Sequence, residues 1–215
     1  MSFNYTKFIV VILSLILCIS LIIFLVLNRE SSMNELAECN LNSNASTFKD
    51  FHGDFSLVDE QGFNVSSNSI LDRPSLLYFG YTFCPDICPF DLMRNSQAIE
   101  LLEQENIEIR PIFISVDPLR DTPAVLKDFT AFHHPNMIGL TGSEEQLDAV
   151  KKIYRVYSEI PKNSARDYIV NHSTFSYFIL PKEGVQTYFT RKENPKKLAD
   201  AMKCIIDKKT KKNDN

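Results

Sequence analysis

The longest hydrophobic pattern in the chain is an uninterrupted apolar stretch near its start. Phe8 to Leu27 is twenty residues without a charge, enough at about 1.5 Å per helical residue to cross a hydrocarbon layer of about 30 Å. It is longer than the apolar core of a cleavable signal peptide, and no small-residue cleavage site accompanies it. The pattern therefore predicts an uncleaved, single-pass transmembrane helix within an anchor over residues 1–30.

The residues beside this stretch predict its orientation. Lys7 precedes it while Arg29 and Glu30 follow it, a weak bias that favours a cytoplasmic N-terminus. Because no Arg-rich amphipathic presequence comes first, a bacterial inner membrane with the domain facing the periplasm is favoured over a mitochondrial inner membrane facing the intermembrane space. Residues 31–47 are polar and rich in Asn and Ser, which predicts a flexible spacer.

Residues 48–207 alternate between strand-like and helical patterns. Apolar and polar residues alternate around a turn at Asp59 to Gly62, which predicts an N-terminal β-hairpin over Phe51 to Val65. Apolar runs then predict strands, and apolar positions at helical spacing predict helices. In chain order these are strand Ser75–Thr82, helix Phe90–Glu105, strand Ile107–Val116, helix Thr122–Phe132, strand Met137–Leu140, helix Glu144–Tyr157, strands Tyr168–Val170, Ser173–Leu180 and Val185–Phe189, and helix Asn194–Asp207.

This order of elements predicts one α/β domain with a mixed sheet flanked by helices, the layout of a thioredoxin-like fold. The length left after the apolar stretch suits one domain with a sizeable core. Residues 208–215 (KKTKKNDN) predict a basic, disordered tail. The net charge is −4 and the basic runs are terminal, which argues against nucleic acid as a partner.

The candidate chemistry lies at one pair of cysteines among five. Cys84 and Cys88 stand where a predicted strand ends and a helix begins, so backbone N–H groups and the helix dipole favour their thiolate forms. Four residues of separation would put both on one helix face, close enough for a disulfide or a shared ion. Cys18 lies in the apolar stretch, and Cys39 and Cys204 have no partner nearby in sequence and receive no role.

Spacing alone does not choose between redox and metal chemistry at this pair. C-x-x-C is the usual redox spacing in this fold, and the one extra residue here leaves room for an ion between the sulfurs. Thiolates select Cu(I), zinc or iron–sulfur clusters, but closed zinc sites generally need four ligands. Only a third candidate, His172, is visible, and three ligands fit copper better; a lone histidine is nonetheless more often an ordinary surface or core residue.

Four sequence blocks resemble the Sco/SenC family in order and spacing, with coverage from about Gly53 to Ile206. These blocks are Tyr78–Pro89 (YFGYTFCPDICP), Ile114–Pro123 (ISVDPLRDTP), Ile138–Gly142 (IGLTG) and Tyr168–Ser173 (YIVNHS). In the second block, turn formation and capping before Pro123 explain most of the composition. Asp117, Arg120 and Asp121 are therefore predicted to be structural.

The resemblance implies a membrane-anchored, thioredoxin-like protein that binds copper through two motif cysteines and one distant histidine. The matching residues here are Cys84, Cys88 and His172, with Cu(I) expected first and Cu(II) as a second form. Such proteins assist assembly of the binuclear copper centre of cytochrome c oxidase, so the implied partners are the copper-bearing oxidase subunit and an upstream copper donor. They deliver copper or keep the acceptor cysteines reduced.

Two positions depart from the family pattern. Phe83 stands where many members carry histidine, which makes the surroundings of the first cysteine more apolar. Asn171 stands where an aspartate commonly precedes the histidine, so a negative charge that could orient the imidazole is missing.

Two enzymatic alternatives compete with copper binding. In a thiol–disulfide oxidoreductase, one of Cys84 and Cys88 would attack and the other would resolve. In a peroxidase of related fold, TFCP would be the peroxidatic loop, but Thr82 lies two residues before Cys84 where peroxiredoxins have three. The metallochaperone is favoured because it alone gives His172 an essential task.

Overall fold

A seven-stranded mixed sheet forms the centre of the protein in a computed structural model that describes residues 9, 11–25, 39, 51, 53–161 and 167–213. Its strands are β1 (Ser56–Asp59), β2 (Asn64–Ser66), β3 (Ser75–Gly80), β4 (Arg110–Ser115), β5 (Ile138–Thr141), β8 (Ser176–Leu180) and β9 (Gly184–Phe189). They lie in the spatial order β2-β1-β5-β4-β3-β8-β9. A separate two-stranded sheet pairs β6 (Ser158–Glu159) with β7 (Asn171–His172).

The central strand β3 carries the predicted run of apolar residues. It pairs in parallel with β4 and antiparallel with β8, and all six of its residues are buried. Parallel strands covered on both faces favour such continuous apolar runs over alternation. The thioredoxin-like α/β prediction is confirmed, and the predicted hairpin is present as β1 and β2.

Helices lie before, between and after these strands along the chain. They are α1 (11–25), α2 (Ser67–Ile70), α3 (Ile87–Glu103), α4 (Pro123–His133), α5 (Glu144–Ile153) and α6 (Pro195–Asn213). Ser143 and Gln146 form a capping box at the start of α5, and the Thr122 hydroxyl accepts the Val125 N–H at the start of α4. These caps satisfy N–H groups that have no partner within the helix.

Two clusters of buried side chains hold the layers together. Along β3, Leu76 packs with residues of α3 and α6, while its neighbour Leu77 belongs to a cluster that includes Leu147 and Val150 of α5. Successive strand residues point to opposite faces. Because both faces of β3 pack against buried clusters, side chains on both faces of this strand are apolar.

Most element boundaries differ from the sequence prediction by a few residues, and two regions differ in kind. Tyr168 to Val170 is not a strand; β7 begins at Asn171 instead, and its partner β6 was not predicted because a two-residue ladder has no periodic signal. The disordered tail is wrong over 208–213, since α6 continues to Asn213. An ion pair between Lys209 and Glu183 ties the end of this helix to the turn between β8 and β9.

Part of the predicted membrane anchor is helical. Residues 11–25 form α1 and most of their large apolar side chains are exposed. Within the described part of the chain, no helix reaches the length and hydropathy that a membrane span requires. Phe8, Val10, Val26 and Leu27 of this stretch, and the spacer 31–47 apart from Cys39, lie outside the described residues, so the anchor stays a prediction.

A disulfide joins Cys39 to Cys204 on α6 across a sequence separation of 165 residues. Cys39 is 8% exposed and belongs with Cys204 to the hydrophobic cluster between α3 and α6. The sequence analysis missed this pair because neither cysteine has a partner within its own motif. The bond links Cys39, which precedes the first strand, to the last helix, α6.

We expect Cys204→Ser to lower the free energy of unfolding by about 2–5 kcal/mol, because the bond restricts a long loop in the unfolded chain. Urea denaturation of the purified protein measures the change. Wild type treated with dithiothreitol should lose a similar amount, and the variant should not respond to the reductant. An equal response of both proteins would contradict a disulfide at these positions.

Candidate metal centre

The two motif cysteines lie at the end of β3, in the loop that enters α3. Cys88 is in the first turn of α3 and is fully buried, whereas Cys84 precedes the helix and is partly exposed. The expectation that both lie on one helix face is therefore wrong. The Cys84 sulfur instead accepts the backbone N–H of Cys88 at 3.4 Å, as an N-capping side chain would, since Asp86 at the N-cap position makes no such bond.

A glycine at the end of β3 makes room for this arrangement. A β-carbon built on Gly80 would lie 3.0 Å from the Cys88 sulfur and 2.9 Å from the Phe113 ring. Both distances are too short for ordinary carbon contacts, and Phe113 is fully buried. Gly80 therefore allows the Cys88 sulfur to approach the end of the central strand.

His172 reaches the same point from β7. Its Nε2 atom lies 3.4 Å from the Cys88 sulfur, and its Nδ1 atom is 2.8 Å from the Ser173 carbonyl oxygen. Because a carbonyl only accepts, Nδ1 carries a hydrogen in this contact, and Nε2 is the ring atom directed toward the sulfurs. The rings of Tyr81 and Tyr78 meet the imidazole edge to face at centroid distances of 5.7 and 6.4 Å.

The ligand atoms of Cys84, Cys88 and His172 all lie within 4.8 Å of one another. Ligands at about 2.0–2.3 Å from one ion stand up to about 4.6 Å apart, so the three can share an ion with little movement. It is the one group of this kind among the residues whose placement the structure describes. The structure brings together all three residues that the sequence analysis selected, and their ligand role remains a prediction.

The two sulfurs differ in protonation in the reduced, metal-free site. A hydrogen bond from the Cys88 thiol is the main cause that lowers the pKa of Cys84 to about 3, with smaller contributions from His172 and the backbone N–H groups of Cys88 and Asp86, against burial. The same hydrogen bond, together with burial, raises the pKa of Cys88. The pair thus holds one proton, on the buried sulfur, and exposes a thiolate.

Asp121 holds the loop that carries Cys84. Its carboxylate is fully buried and accepts the Thr82 N–H at 3.1 Å, the Thr82 hydroxyl at 2.6 Å and the Ser115 hydroxyl at 2.6 Å. These bonds join the end of β3 to the end of β4. A structural role for this aspartate agrees with the sequence interpretation, although its contact with the cysteine loop had no sequence signal.

The two departures from the family pattern lie on either side of the site. Phe83 is 57% exposed, and the guanidinium carbon of Arg120 is 5.0 Å from its ring centroid. Asn171 is exposed and pairs with Glu159 in the two-stranded sheet. The Phe83 side chain therefore makes a contact of its own beside the first cysteine.

Comparison with known proteins agrees with this geometry. The SCO1/SenC family model matches residues 43–207, and the chain belongs to this family. It is similar to protein SenC of Rhodobacter capsulatus, with 44% identity over 155 residues, 72% of this chain and 70% of the relative.

Solved structures agree as well. The chain resembles copper-bound ScoI of Arabidopsis thaliana, with 35% identity, a TM-score of 0.68 and coverage of 73% of this chain and 99% of that one. It also resembles copper-bound yeast Sco1, with 35% identity, a TM-score of 0.67 and coverage of 74% and 87%.

We expect iodoacetamide to alkylate Cys84 of the reduced, metal-free protein at a nearly constant rate between pH 8 and pH 5. A pKa lowered to about 3 from the ordinary 9.0 keeps the thiolate populated as the pH falls, whereas an ordinary thiol slows about tenfold per pH unit. Mass spectrometry locates the label. Cys88→Ala removes the hydrogen-bond donor and should shift the rate profile to higher pH; an ordinary profile in wild type would contradict the assignment.

We expect Gly80→Ala to lower the free energy of unfolding by about 1–3 kcal/mol, the usual cost of overpacking, and to raise the pKa of Cys84 by displacing Cys88. Denaturation and the alkylation profile measure the two effects. Gly53→Ala is the control, because its added β-carbon would meet only the Ile153 side chain, at 3.1 Å. An unchanged pH profile of Cys84 alkylation in Gly80→Ala would show that the lowered pKa of Cys84 does not require the Cys88 sulfur to lie close to the end of β3.

Proposed function

We propose that this protein binds copper through Cys84, Cys88 and His172 and assists assembly of cytochrome c oxidase. The observation that carries the proposal is the convergence of two sulfurs and one imidazole nitrogen within 4.8 Å. Membership of the SCO1/SenC family and similarity to two proteins solved with copper bound support it. Two thiolates and one imidazole are a ligand set that suits Cu(I).

The site can pass copper on as cargo. Three protein ligands leave a position at which an incoming cysteine or histidine of a partner can bind before these ligands leave. Cys84 is the more exposed sulfur, so exchange would begin on its side. Binding also requires loss of the Cys88 proton, which couples copper uptake to pH.

We further propose that residues 1–30 anchor the protein in a bacterial inner membrane with the domain in the periplasm. The apolar stretch from Phe8 to Leu27 supports the anchor. The disulfide between Cys39 and Cys204 supports an oxidising compartment, since such bonds are rare in the cytosol. The oxidase subunit that bears copper would then be the acceptor, and a separate donor would load the site.

A thiol–disulfide oxidoreductase remains the second candidate, favoured by the unequal cysteines. Cys84 offers an accessible thiolate, and Cys88 lies beside it with the proton. Cys84 would attack one sulfur of a partner's disulfide; Cys88 would then lose its proton, displace the mixed disulfide and leave a Cys84–Cys88 bond and two reduced partner thiols. In this reaction His172 is not a ligand.

We expect the full-length reduced protein in detergent to bind one Cu(I) per chain under anaerobic conditions, with two sulfurs and one imidazole detected by X-ray absorption. His172→Ala should remove the nitrogen and weaken Cu(I) binding by at least about tenfold, while reduction of a small disulfide stays nearly unchanged. His133→Ala is the control, because His133 on α4 lies outside the cluster.

Absence of stoichiometric Cu(I) binding by the wild type would overturn the copper proposal. Equal loss of both activities in His172→Ala would contradict the separation between the two candidates. Retained disulfide reduction without copper binding would favour the oxidoreductase.

A further inference from the structure

The three candidate ligands are carried by two segments that lie just outside the main sheet. Cys84 and Cys88 follow β3, and His172 precedes β8, whose pairing with β3 ends at Ser176. His172 itself lies on β7, which pairs with β6 in a separate two-stranded sheet. A ligand set of this kind is pre-organised only if something fixes the His172 segment against the cysteine loop. Arg120 lies where the two segments meet.

The Arg120 guanidinium stacks on aromatic rings from both segments. Its Cζ atom is 3.6 Å from the ring centroid of Tyr168, four residues before His172, and 5.0 Å from that of Phe83, directly before Cys84. Tyr81, which meets the imidazole edge to face, lies at 5.5 Å. A planar guanidinium can stack on aromatic faces while its edge forms hydrogen bonds.

Asp117 completes this contact. It is fully buried, accepts the Arg120 Nε–H at 2.5 Å on one carboxylate oxygen and accepts the Tyr168 hydroxyl at 2.7 Å on the other. Arg120 and Tyr168 are therefore bound to the same carboxylate as well as stacked on each other. Because both oxygens are engaged, the carboxylate orients the guanidinium and the ring together.

We propose that Arg120 is a positioning residue that holds the His172 segment against the cysteine loop, so that the imidazole is in place before copper binds. The proposal rests on the proposed copper function and adds to it a residue that touches no metal. Phe83 extends the stack on the cysteine side, which gives this departure from the family pattern a role. Arg120 acts through His172 and not through the cysteines.

The first test is Arg120→Lys in the full-length protein. Lysine keeps the charge and can reach Asp117, but it loses the planar face that stacks on Tyr168 and Phe83. We expect Cu(I) affinity, measured by competition with a chromophoric chelator, to fall about tenfold, and the imidazole contribution to the X-ray absorption spectrum to decrease. Arg110→Lys is the matched control. The Arg110 side chain is about as exposed as that of Arg120 and also pairs with an aspartate, Asp72. It lies at the opposite end of β4 from the cysteine loop.

The second test separates positioning from general damage to the fold by repeating Arg120→Lys in the His172→Ala background. If Arg120 acts through His172, the substitution should have little further effect on Cu(I) affinity there, so the two changes are non-additive. Additive losses, or the same loss in Arg110→Lys, would overturn the inference. Failure of wild type to bind Cu(I) would instead overturn the proposed function, so the two failures are distinguishable.

Discussion

The hydrogen bond from the Cys88 backbone N–H to the Cys84 sulfur is the interaction on which the site depends. It exists because β3 ends in Gly80, which lets the first turn of α3 lie against the strand. The sulfur takes the place of a capping oxygen, so the N-terminus of α3 and the thiolate stabilise each other. Formation of the first turn of α3 and ionisation of the Cys84 thiol therefore favour each other.

The two sulfurs are unequal although their residues are only four positions apart in the chain. One side chain lies in a loop near solvent, and the other lies in the core beside Tyr78 and the end of the sheet. The hydrogen bond between the two sulfurs, together with burial, raises the pKa of Cys88, and the same bond lowers the pKa of Cys84. In the metal-free, reduced site the more exposed sulfur is therefore the ionised one, and the buried sulfur carries the proton.

Much of this arrangement could be predicted from the sequence, for reasons that are local. Some features are visible as patterns of only a few consecutive residues: the apolar run of β3, the capping box at Ser143, and the close spacing of Cys84 and Cys88. The helix-face placement of both cysteines was wrong, because spacing does not reveal where α3 begins. His172 could be selected only through the resemblance of four separated blocks, and the contacts of Asp121 and Arg120 depend on tertiary packing that has no sequence period.

The bond between Cys39 and Cys204 has a mechanical consequence. It joins the entry segment of the domain directly to its last helix, so a pull on the N-terminal segment reaches α6 without passing through the β1–β2 hairpin. A force applied ahead of Cys39 would therefore act first on α6, the helix that packs against α3.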